Sequence, residues 1–294
     1  METLARATDW AERAWGRRVV DVARLHGGWT STMLRLTDVS GEHAVLRLMT
    51  REPWRRHAAG LLARESGVHT LLAATPVPSP RSLAVDLTGD LAGEPAHLMT
   101  HLPGTLDLGG CPDELLVNLA ATLRGIHAIE PGADRPREYE SWAPPEQRVV
   151  PEWAARPTVW RHAFARLDAD PPAYVGRFLH RDFHLGNVLW QDGRVSGVVD
   201  WVETSWGPAG LDVAHAATNL ALLHGGDAAE RFTAAYGATG DDADDYWALL
   251  DAVGHLPDPT KIAGPWRDLG IQVSDDLARR RLEDRVERVL SRAG

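Results

Sequence analysis

The sequence predicts an α+β fold of two lobes: an antiparallel, β-rich N-terminal lobe with one helix, then a mainly helical C-terminal lobe with one embedded hairpin. Residues 17–50 contain short runs of branched apolar residues separated by turn-forming residues, which is typical of an antiparallel sheet. Residues 114–129 repeat apolar side chains at helical spacing, and Pro103-Gly104 lies between the two regions. Strands and helices are therefore segregated along the chain, which favours α+β over an alternating α/β architecture.

The N-terminal lobe is expected over residues 1–102. Strands are favoured where branched apolar residues are dense, and the helix is favoured where leucine and valine recur at helical spacing. Three closely spaced prolines end the helix and begin an extended stretch. In chain order, the expected elements are strands over 17–25, 30–39 and 42–49, a helix over 54–74, and strands over 82–87 and 96–102.

The C-terminal lobe is expected over residues 103–294. Prolines and charges without a clear period make 131–157 a loop with short helices. Residues 178–200 switch to short strands, and Asp192-Gly193 is a signal for a tight hairpin turn between two apolar runs. The expected helices cover 114–129, 160–167, 211–223, 228–236, 246–254 and 275–292.

Composition and charge exclude several classes of protein. The 294 residues are 44% hydrophobic and 24% charged, which excludes wholesale disorder and fibrous repeats. The net charge of −10 argues against a nucleic-acid partner and suits a cationic small molecule, although acidity also serves solubility. The single cysteine, Cys111, excludes an internal disulfide. No apolar leader or membrane-length apolar run is present, so we expect a cytoplasmic protein without a membrane partner.

The densest chemical segment is HRDFHLGN, residues 180–187, and Asp200 follows at the end of the predicted hairpin. This layout places Asp182 and Asn187 in one loop beside Asp200. Carboxylate and amide oxygens suit Mg²⁺, which binds through one or two protein groups together with phosphate oxygens. A carboxylate near the metal can orient a hydroxyl and accept its proton.

The spacing His-x-Asp, four residues, Asn, a short hairpin and then Asp resembles the catalytic and metal-binding segments of the aminoglycoside phosphotransferase family, which shares a bilobal, protein-kinase-like fold. The resemblance implies that Asp182 is the catalytic base and that Asn187 and Asp200 hold Mg²⁺ on the nucleotide phosphates. It also implies that His180 braces the loop. Asp212 resembles the family's late aspartate, which is implied to rigidify the catalytic loop.

The same resemblance assigns residues of the N-terminal lobe to the nucleotide. Gly27, Gly28, Thr30 and Ser31 lie where the family has its nucleotide-covering loop, in which glycines let the backbone approach phosphate. An ordinary hairpin turn is the alternative interpretation of this segment.

Arg47 takes the position of the kinase third-strand lysine, and Glu65 matches its acidic partner in the following helix. A surface glutamate is the alternative for Glu65. Met99, Thr100 and His101 resemble the strand and linker whose backbone groups hold adenine.

Two other functions compete with the kinase interpretation. A metallohydrolase would use the cluster His180, Asp182 and His184 as ligands of zinc or iron, together with Asp200 and His215, since imidazole and carboxylate suit these ions. A catalytically inactive kinase-like protein would act as a binding module. The first leaves Asn187 and the N-terminal residues without a role, and the second conflicts with the presence of every catalytic residue type.

The resemblance implies a phosphotransferase that moves the γ-phosphoryl group of ATP or GTP to the hydroxyl of a small molecule. The leading substrate class is an aminoglycoside or another cationic, antibiotic-like compound, and a neutral macrolide or metabolic alcohol is the alternative. Candidate substrate contacts are Glu203, Trp206, Asp241, Asp244 and Trp247, which supply acidic groups and indole faces for a cation. A solvated acidic loop and core tryptophans are the alternatives. A monomer and a homodimer are both compatible with the sequence.

Overall fold

A computed structural model describes residues 2–25, 31–239 and 244–292. The fold is α+β, with an antiparallel sheet in the N-terminal part and helices dominating the C-terminal part, as the sequence predicts. No helix within these described ranges combines the length and the hydropathy that crossing a bilayer requires.

The chain divides into two compact units. The first comprises residues 1–104 and 196–203, and the second comprises 105–195 and 204–294. The sequence predicts that all of 103–294 belongs to the C-terminal lobe, whereas in the structure the short segment 196–203 belongs to the first unit.

The first unit is built on a five-stranded antiparallel sheet in the order β1-β2-β3-β5-β4. Because side chains alternate along a strand, Leu46 and Leu48 of the third strand join the apolar core on one face, while Arg47 between them faces the other way. The elements of this unit are α1 (Glu2–Trp15), β1 (Val19–Leu25), β2 (Thr32–Asp38), β3 (His43–Leu48), α2 (Ala58–Leu72), β4 (Ser82–Asp86) and β5 (Ala96–Thr100).

Helix α1 covers one face of this sheet and was not expected from the sequence. Ala7, Trp10 and Ala11 are buried at a spacing of three and four residues, and they belong to the same apolar core as Leu34 and Leu98 of the sheet. Charged residues lie between these positions, so the apolar face of the helix is not evident from the sequence. The helix therefore exists because its narrow apolar stripe has a sheet to pack on.

Hydrogen bonds tie segment 196–203 to the first unit. The Val198 amide donates to Pro78 O at 2.7 Å, and Arg64 Nη1 donates to Val202 O at 2.6 Å. These contacts bring Asp200 into the same unit as Arg47. The membership of this segment is decided by contacts with residues more than 100 positions earlier, which local patterns do not reveal.

The second unit is organised around α5 (Ala209–His224), whose side chains from Ala209 to Leu223 are all buried. A helix that is apolar all round is packed on every side. Helix α8 and strands β6 and β10 were not expected. The other elements are β6 (Thr105–Leu106), α3 (Asp113–His127), α4 (Pro157–Leu167), β7 (Gly176–Leu179), β8 (Val188–Gln191), β9 (Arg194–Val198, whose last three residues belong to the first unit), β10 (Ser205–Pro208), α6 (Gly226–Tyr236), α7 (Asp244–Gly254), α8 (Thr260–Asp268) and α9 (Asp275–Arg292).

The turn between β8 and β9 confirms the hairpin signal. Asp192 and Gly193 adopt φ values of 52° and 74°. Two consecutive left-handed residues are the signature of a two-residue hairpin turn whose twist matches that of the strands. The motif residues 180–187 form the connection that enters β8 from β7.

Candidate active site

The loop 180–187 carries the predicted catalytic residue between two short strands of the second unit. Its backbone bends at Arg181, which has a φ of 76°, directly before Asp182. Non-glycine residues are held in this left-handed region only where surrounding contacts compensate for the strain, and such residues concentrate at functional sites. A Cβ at Gly186 would lie 2.7 Å from His184 Cε1, so the loop also needs a glycine there.

Asp212, at the start of α5, holds the backbone of this loop. Its Oδ2 accepts from the His180 amide at 2.8 Å and its Oδ1 accepts from the Arg181 amide at 2.7 Å. His127 of α3 also contacts Oδ2 at 3.1 Å. Burial acts to raise the pKa of Asp212, but its hydrogen-bonded partners, His127 first, lower it overall. An ionised carboxylate therefore fixes the strained backbone next to Asp182.

Two further residues fix Asp182 from within the loop. Asn187 Nδ2 donates to the backbone oxygen of Asp182 at 2.8 Å and to its Oδ2 at 3.1 Å. The buried ring of His180 accepts the Asp182 amide at Nδ1, at 3.2 Å, and its ring edge packs against Phe183. His180 is thus committed to loop structure, and its Nδ1 carries no proton.

The carboxylate of Asp182 is partly accessible and lies between two imidazoles. Its side chain is 31% exposed, and Oδ1 is 3.1 Å from His215 Nε2 and 3.6 Å from His184 Nε2. Burial acts to raise the pKa of Asp182, but His184 and His215 hold it well below its ordinary value. Asp182 is therefore ionised at neutral pH, in the form that accepts a hydrogen bond from a hydroxyl.

A buried ion-pair network occupies the first unit. Arg47 Nη2 lies 3.3 Å from Glu65 Oε1, and both Arg47 Nη1 and Nη2 donate to Asp200 Oδ1 at 3.1 Å. Glu65 Oε2 is 2.8 Å from His97 Nδ1, and His97 Nε2 is 2.9 Å from Ser82 Oγ. Burial acts to raise the pKa of Glu65, but Arg47 and His97 lower it to about 2. The surface alternative for Glu65 is wrong, because this side chain is fully buried.

Replacing Glu65 with glutamine is expected to destabilise the protein by about 3–5 kcal/mol, because Arg47 loses a carboxylate partner in the interior. Urea denaturation monitored by circular dichroism measures the change. Glu42→Gln, an exposed glutamate at the start of β3, is the control and is expected to shift stability by less than about 0.5 kcal/mol. Equal stabilities of Glu65→Gln and the control would contradict the importance of the buried pair.

His69 of α2 introduces an acid sensitivity into this unit. Its ring is buried 5.2 Å from that of His97, and neither ring nitrogen has a hydrogen-bond partner among the residues the structure describes. Burial lowers the pKa of His69 to about 4. Because the unfolded chain binds the proton more readily, the folded state loses stability as the pH falls from about 6.5 toward 4.

We therefore expect His69→Leu to remove about 2 kcal/mol of the stability lost between pH 7.5 and pH 5. Urea midpoints at the two pH values measure it for wild type and variant. His57→Leu, which replaces an exposed histidine shortly before α2, is expected to retain the wild-type pH dependence. An unchanged pH dependence in His69→Leu would show that this ring is not buried in its neutral form.

Asp200 and Asn187 have the chemistry of Mg²⁺ ligands. Asp200 has a φ of 66°, a second left-handed non-glycine residue at a motif position. Asn187 commits its Nδ2 to Asp182, which leaves the amide oxygen Oδ1 as the atom suited to a cation. Each of these two oxygens is of the kind that a hard cation binds along with phosphate and water.

Of the four loop residues predicted to contact nucleotide, one lies among the residues that the structure describes. Gly27, Gly28 and Thr30 lie outside the described residues. Ser31 is buried and donates to Met33 Sδ at 3.4 Å.

The residues of β5 and the linker that were expected near adenine lie among the described residues. Met99 is buried in β5. The Thr100 amide donates to Arg81 O at 3.0 Å, so it is engaged within the protein and is not free for a base. His101 is half-buried, with its ring 5.3 Å from that of His43.

The two tryptophans among the candidate substrate residues contact groups of the protein itself. Trp247 is fully buried and packs edge-to-face on Tyr139, Tyr174 and Tyr246, so its indole is a core group rather than a substrate contact. The partly exposed ring of Trp206 lies under the Arg135 guanidinium at 5.4 Å, so it faces a cation of the protein itself.

Two of the three acidic candidates lie among the described residues. Asp244 is exposed and accepts from Thr239 Oγ1 at 2.6 Å. Glu203 is half-buried in the first unit, and Asp241 lies outside the described residues.

Two of the histidines considered for a metallohydrolase lie near Asp182. Potential ligand atoms of Asp182, His184 and His215 lie within 4.8 Å of one another, and those of His215, Asp251 and His255 form a second such group. His180 belongs to neither group, because it bonds the loop backbone. Of the ligands expected for that alternative, Asp182, His184 and His215 lie together, whereas His180 is committed to the loop backbone.

The sequence does not indicate that His97 and Asp251 take part in this arrangement. His97 lies in β5 between Ala96 and Leu98, and its position there gives no sign that it meets Glu65. From the sequence, His215 is expected to be either a metallohydrolase ligand or a core histidine of a helix, and nothing singles out Asp251. Both lie on a buried helix face, and a charged residue in an otherwise apolar helix face is the signal that would have found them.

Comparison with known proteins identifies the family. The family model described as "Phosphotransferase enzyme family", APH, matches residues 21–250. A search of curated proteins finds no significant match. Among solved structures, a thermostable mutant of aminoglycoside phosphotransferase APH(4)-Ia, in a ternary complex with ADP and hygromycin B, is 18% identical, with a TM-score of 0.65 over 95% of this chain and 97% of that one.

Two other kinases are similar over nearly the whole chain. Amicoumacin kinase hAmiN, in complex with AMP-PNP, Ca²⁺ and Ami, is 14% identical, with a TM-score of 0.62 over 94% of this chain and 92% of that one. The GDP and kanamycin complex of APH(2")-IIia is 14% identical, with a TM-score of 0.63 over 98% and 99% of the two chains. The fold is thus the protein-kinase-like fold of these enzymes, and the chain belongs to the APH phosphotransferase enzyme family.

Proposed function

We propose that this protein is an Mg²⁺-dependent kinase that transfers the γ-phosphoryl group of ATP or GTP to a hydroxyl of a small molecule. The observation that carries the proposal is the loop 180–187, in which Asp182 is partly accessible, ionised and fixed by Asn187. Family membership supplies the reaction class.

Asp182 orients the acceptor hydroxyl and takes its proton. Because its pKa is low, it is a weak base, and its main effect is to hold the hydroxyl oxygen toward the phosphorus. Phosphoryl transfer with a loose transition state needs positioning and charge neutralisation more than strong base catalysis. A carboxylate held by fixed hydrogen bonds is suited to positioning the acceptor hydroxyl.

Arg47 supplies a cation on the nucleotide side. The Glu65 carboxylate holds its guanidinium, whose planar fork matches phosphate oxygens better than an ammonium group does. Asn187 and Asp200 would hold Mg²⁺, which when bound neutralises phosphate charge. A mixed cation and carboxylate environment of this kind selects a phosphate-bearing ligand.

The proposed acceptor is a hydroxylated, antibiotic-like compound, with amine-rich compounds the leading class and a neutral macrolide or metabolic alcohol the alternative. The net charge of −10 and the aminoglycosides bound by solved relatives support the first class. The buried position of Trp247 removes one of the aromatic contacts expected for a cation.

Calorimetric titration with ATP and then GTP, each with and without Mg²⁺, tests the function without knowledge of the acceptor. We expect binding that strengthens with the metal. Incubation with a panel of aminoglycosides, macrolides and amino alcohols, analysed by mass spectrometry, then identifies the phosphorylated class. Failure of both nucleotides to bind in the presence of Mg²⁺ would contradict the proposed function.

A further inference from the structure

A chain of three charged side chains runs from the interior of the second unit to Asp182. His215 of α5 lies 3.1 Å from Asp182 Oδ1 through Nε2 and 2.9 Å from Asp251 Oδ1, on α7, through Nδ1. The side chains of His215 and Asp251 are 5% and 1% exposed, whereas that of Asp182 is 31% exposed. The accessible end of the chain is therefore the proposed catalytic carboxylate.

The geometry favours a proton on each nitrogen of the His215 ring. Each nitrogen faces a carboxylate oxygen, and an ionised carboxylate only accepts hydrogen bonds. The nearby amide of Asn219 donates from Nδ2 to the His215 backbone oxygen at 2.9 Å and also lies 3.2 Å from the ring Nε2, which is 3.1 Å from Asp182 Oδ1. His215 is thus an imidazolium held between two anions.

The groups that face His215 from neighbouring elements favour a positively charged ring. Burial acts to lower the pKa of His215, but Asp251 and Asp182 raise it to about 10. The other neighbouring histidines do not compete for the proton, because burial lowers the pKa of His184 to about 4 and also lowers that of His255. Arg285 of α9 is the further cation, buried and electrostatically coupled to Asp251.

A purely structural role explains this arrangement poorly. Burying ions carries a desolvation penalty that apolar residues of similar volume avoid, so a buried ionic chain contributes little net stability. Only apolar packing would be needed where α5 meets α7, helices whose other buried side chains are mostly apolar. The chain instead ends on the single carboxylate that the proposed reaction uses.

We propose that His215, held by Asp251, is a positioning residue that fixes the catalytic carboxylate of Asp182. His215 binds Oδ1 while Asn187 binds Oδ2, so the rotation of the carboxylate about its last side-chain bond is set from both sides. Asp251 in turn fixes the plane and the protonation of the His215 ring. This inference rests on the proposed function, because it assigns Asp182 the acceptor hydroxyl.

The first test compares His215→Gln and Asp251→Asn with His255→Gln. His255 is the matched control, since its ring stacks on that of His215 at 5.9 Å and bonds only the Asp251 backbone oxygen, away from Asp182. In the full-length protein with Mg²⁺ and the acceptor found by the screen, we expect kcat to fall about 10²-fold in the two test variants, as misplacement of a reacting group does. The KM for nucleotide should stay within about threefold, and His255→Gln should retain the wild-type kcat.

The second test needs no activity. In protein labelled with ¹⁵N at histidine, the ring nitrogens of His215 are expected to show the imidazolium signature at pH 8. Asp182→Asn should lower the pKa that the His215 ring displays, because one of its two anions is removed. A neutral His215 at pH 8, or a pKa indifferent to Asp182→Asn, would overturn the inference.

The two tests separate this inference from the proposed function. If wild type binds Mg²⁺-nucleotide and phosphorylates an acceptor, but His215→Gln keeps the wild-type kcat, the positioning role fails and the function stands. If wild type binds no nucleotide, the function fails, and the role of His215 in holding the acceptor-facing carboxylate fails with it. Thermal unfolding of each variant distinguishes a loss of folding from a loss of positioning, and Asp251→Asn supplies a second variant if His215→Gln unfolds.

Discussion

Replacing Asp182 with asparagine is expected to lower the rate of phosphoryl transfer by about 10²–10⁴-fold, the range that a positioned general base contributes. The amide nearly matches the carboxylate in shape, so the strained loop and its bonds to Asp212 should remain. What is lost is the negative charge that accepts the substrate proton and binds His215 and Asn187. Nucleotide affinity should stay within a few-fold, because Arg47 and Glu65 lie in the other unit.

Formation of phosphorylated product, followed by mass spectrometry, measures this loss, and calorimetry measures the retained nucleotide affinity. Asp192→Asn is the matched control. It makes the same chemical change at an exposed residue of the β8–β9 turn, where the left-handed conformation tolerates asparagine. Wild-type turnover in Asp182→Asn would show that the catalytic residue is assigned incorrectly.

Replacing Asp200 with asparagine should abolish most of the metal dependence of nucleotide binding. We expect the affinity measured with Mg²⁺ to fall at least about 10-fold, the lower end of what the loss of a group supporting a metal site costs. Asparagine keeps the size of the side chain and accepts the φ of 66°, so the substitution removes charge while preserving the backbone. Arg47 also loses the charge of one of its two carboxylate partners.

Titrations with and without Mg²⁺ distinguish this effect from a general loss of binding. In Asp200→Asn the affinity without metal should be close to that of wild type, and the gain on adding metal should disappear. Asp192→Asn is again the control, because Asp192 shares the left-handed backbone conformation of Asp200. If Asp200→Asn keeps the full gain from Mg²⁺, another group must hold the metal.

Much of the fold was predictable because strand and helix signals are local. The branched apolar runs became β1 to β3, and the repeating apolar residues after Asp113 became α3. Elements with weak local signals were missed. Helix α1 needs the sheet beneath Trp10 to show which of its residues form an apolar face, and β6 has only two residues that pair with β8.

The candidate site likewise combines contacts between sequence neighbours, which could be predicted, with contacts between distant residues, which could not. The spacing of Asp182 and Asn187 specifies residues within one loop, and such neighbours stay close whatever the rest of the chain does. Their bond at 3.1 Å is therefore a local consequence of the motif. The pairing of Arg47 with Glu65 was anticipated only through resemblance, and nothing in the sequence pointed to His97 as the next partner of Glu65.

The sequence by itself determined the two kinds of element, their order and the position of the loop 180–187, because these depend on periodicity and on spacing over a few residues. Only the tertiary structure decided which distant side chains meet. His215 and Asp251 are 36 positions apart, and helix packing joins them at 2.9 Å behind Asp182. The same packing buried Trp247 completely. Burial and the pairing of buried charges depend on contacts between elements, and residue type alone does not specify those contacts.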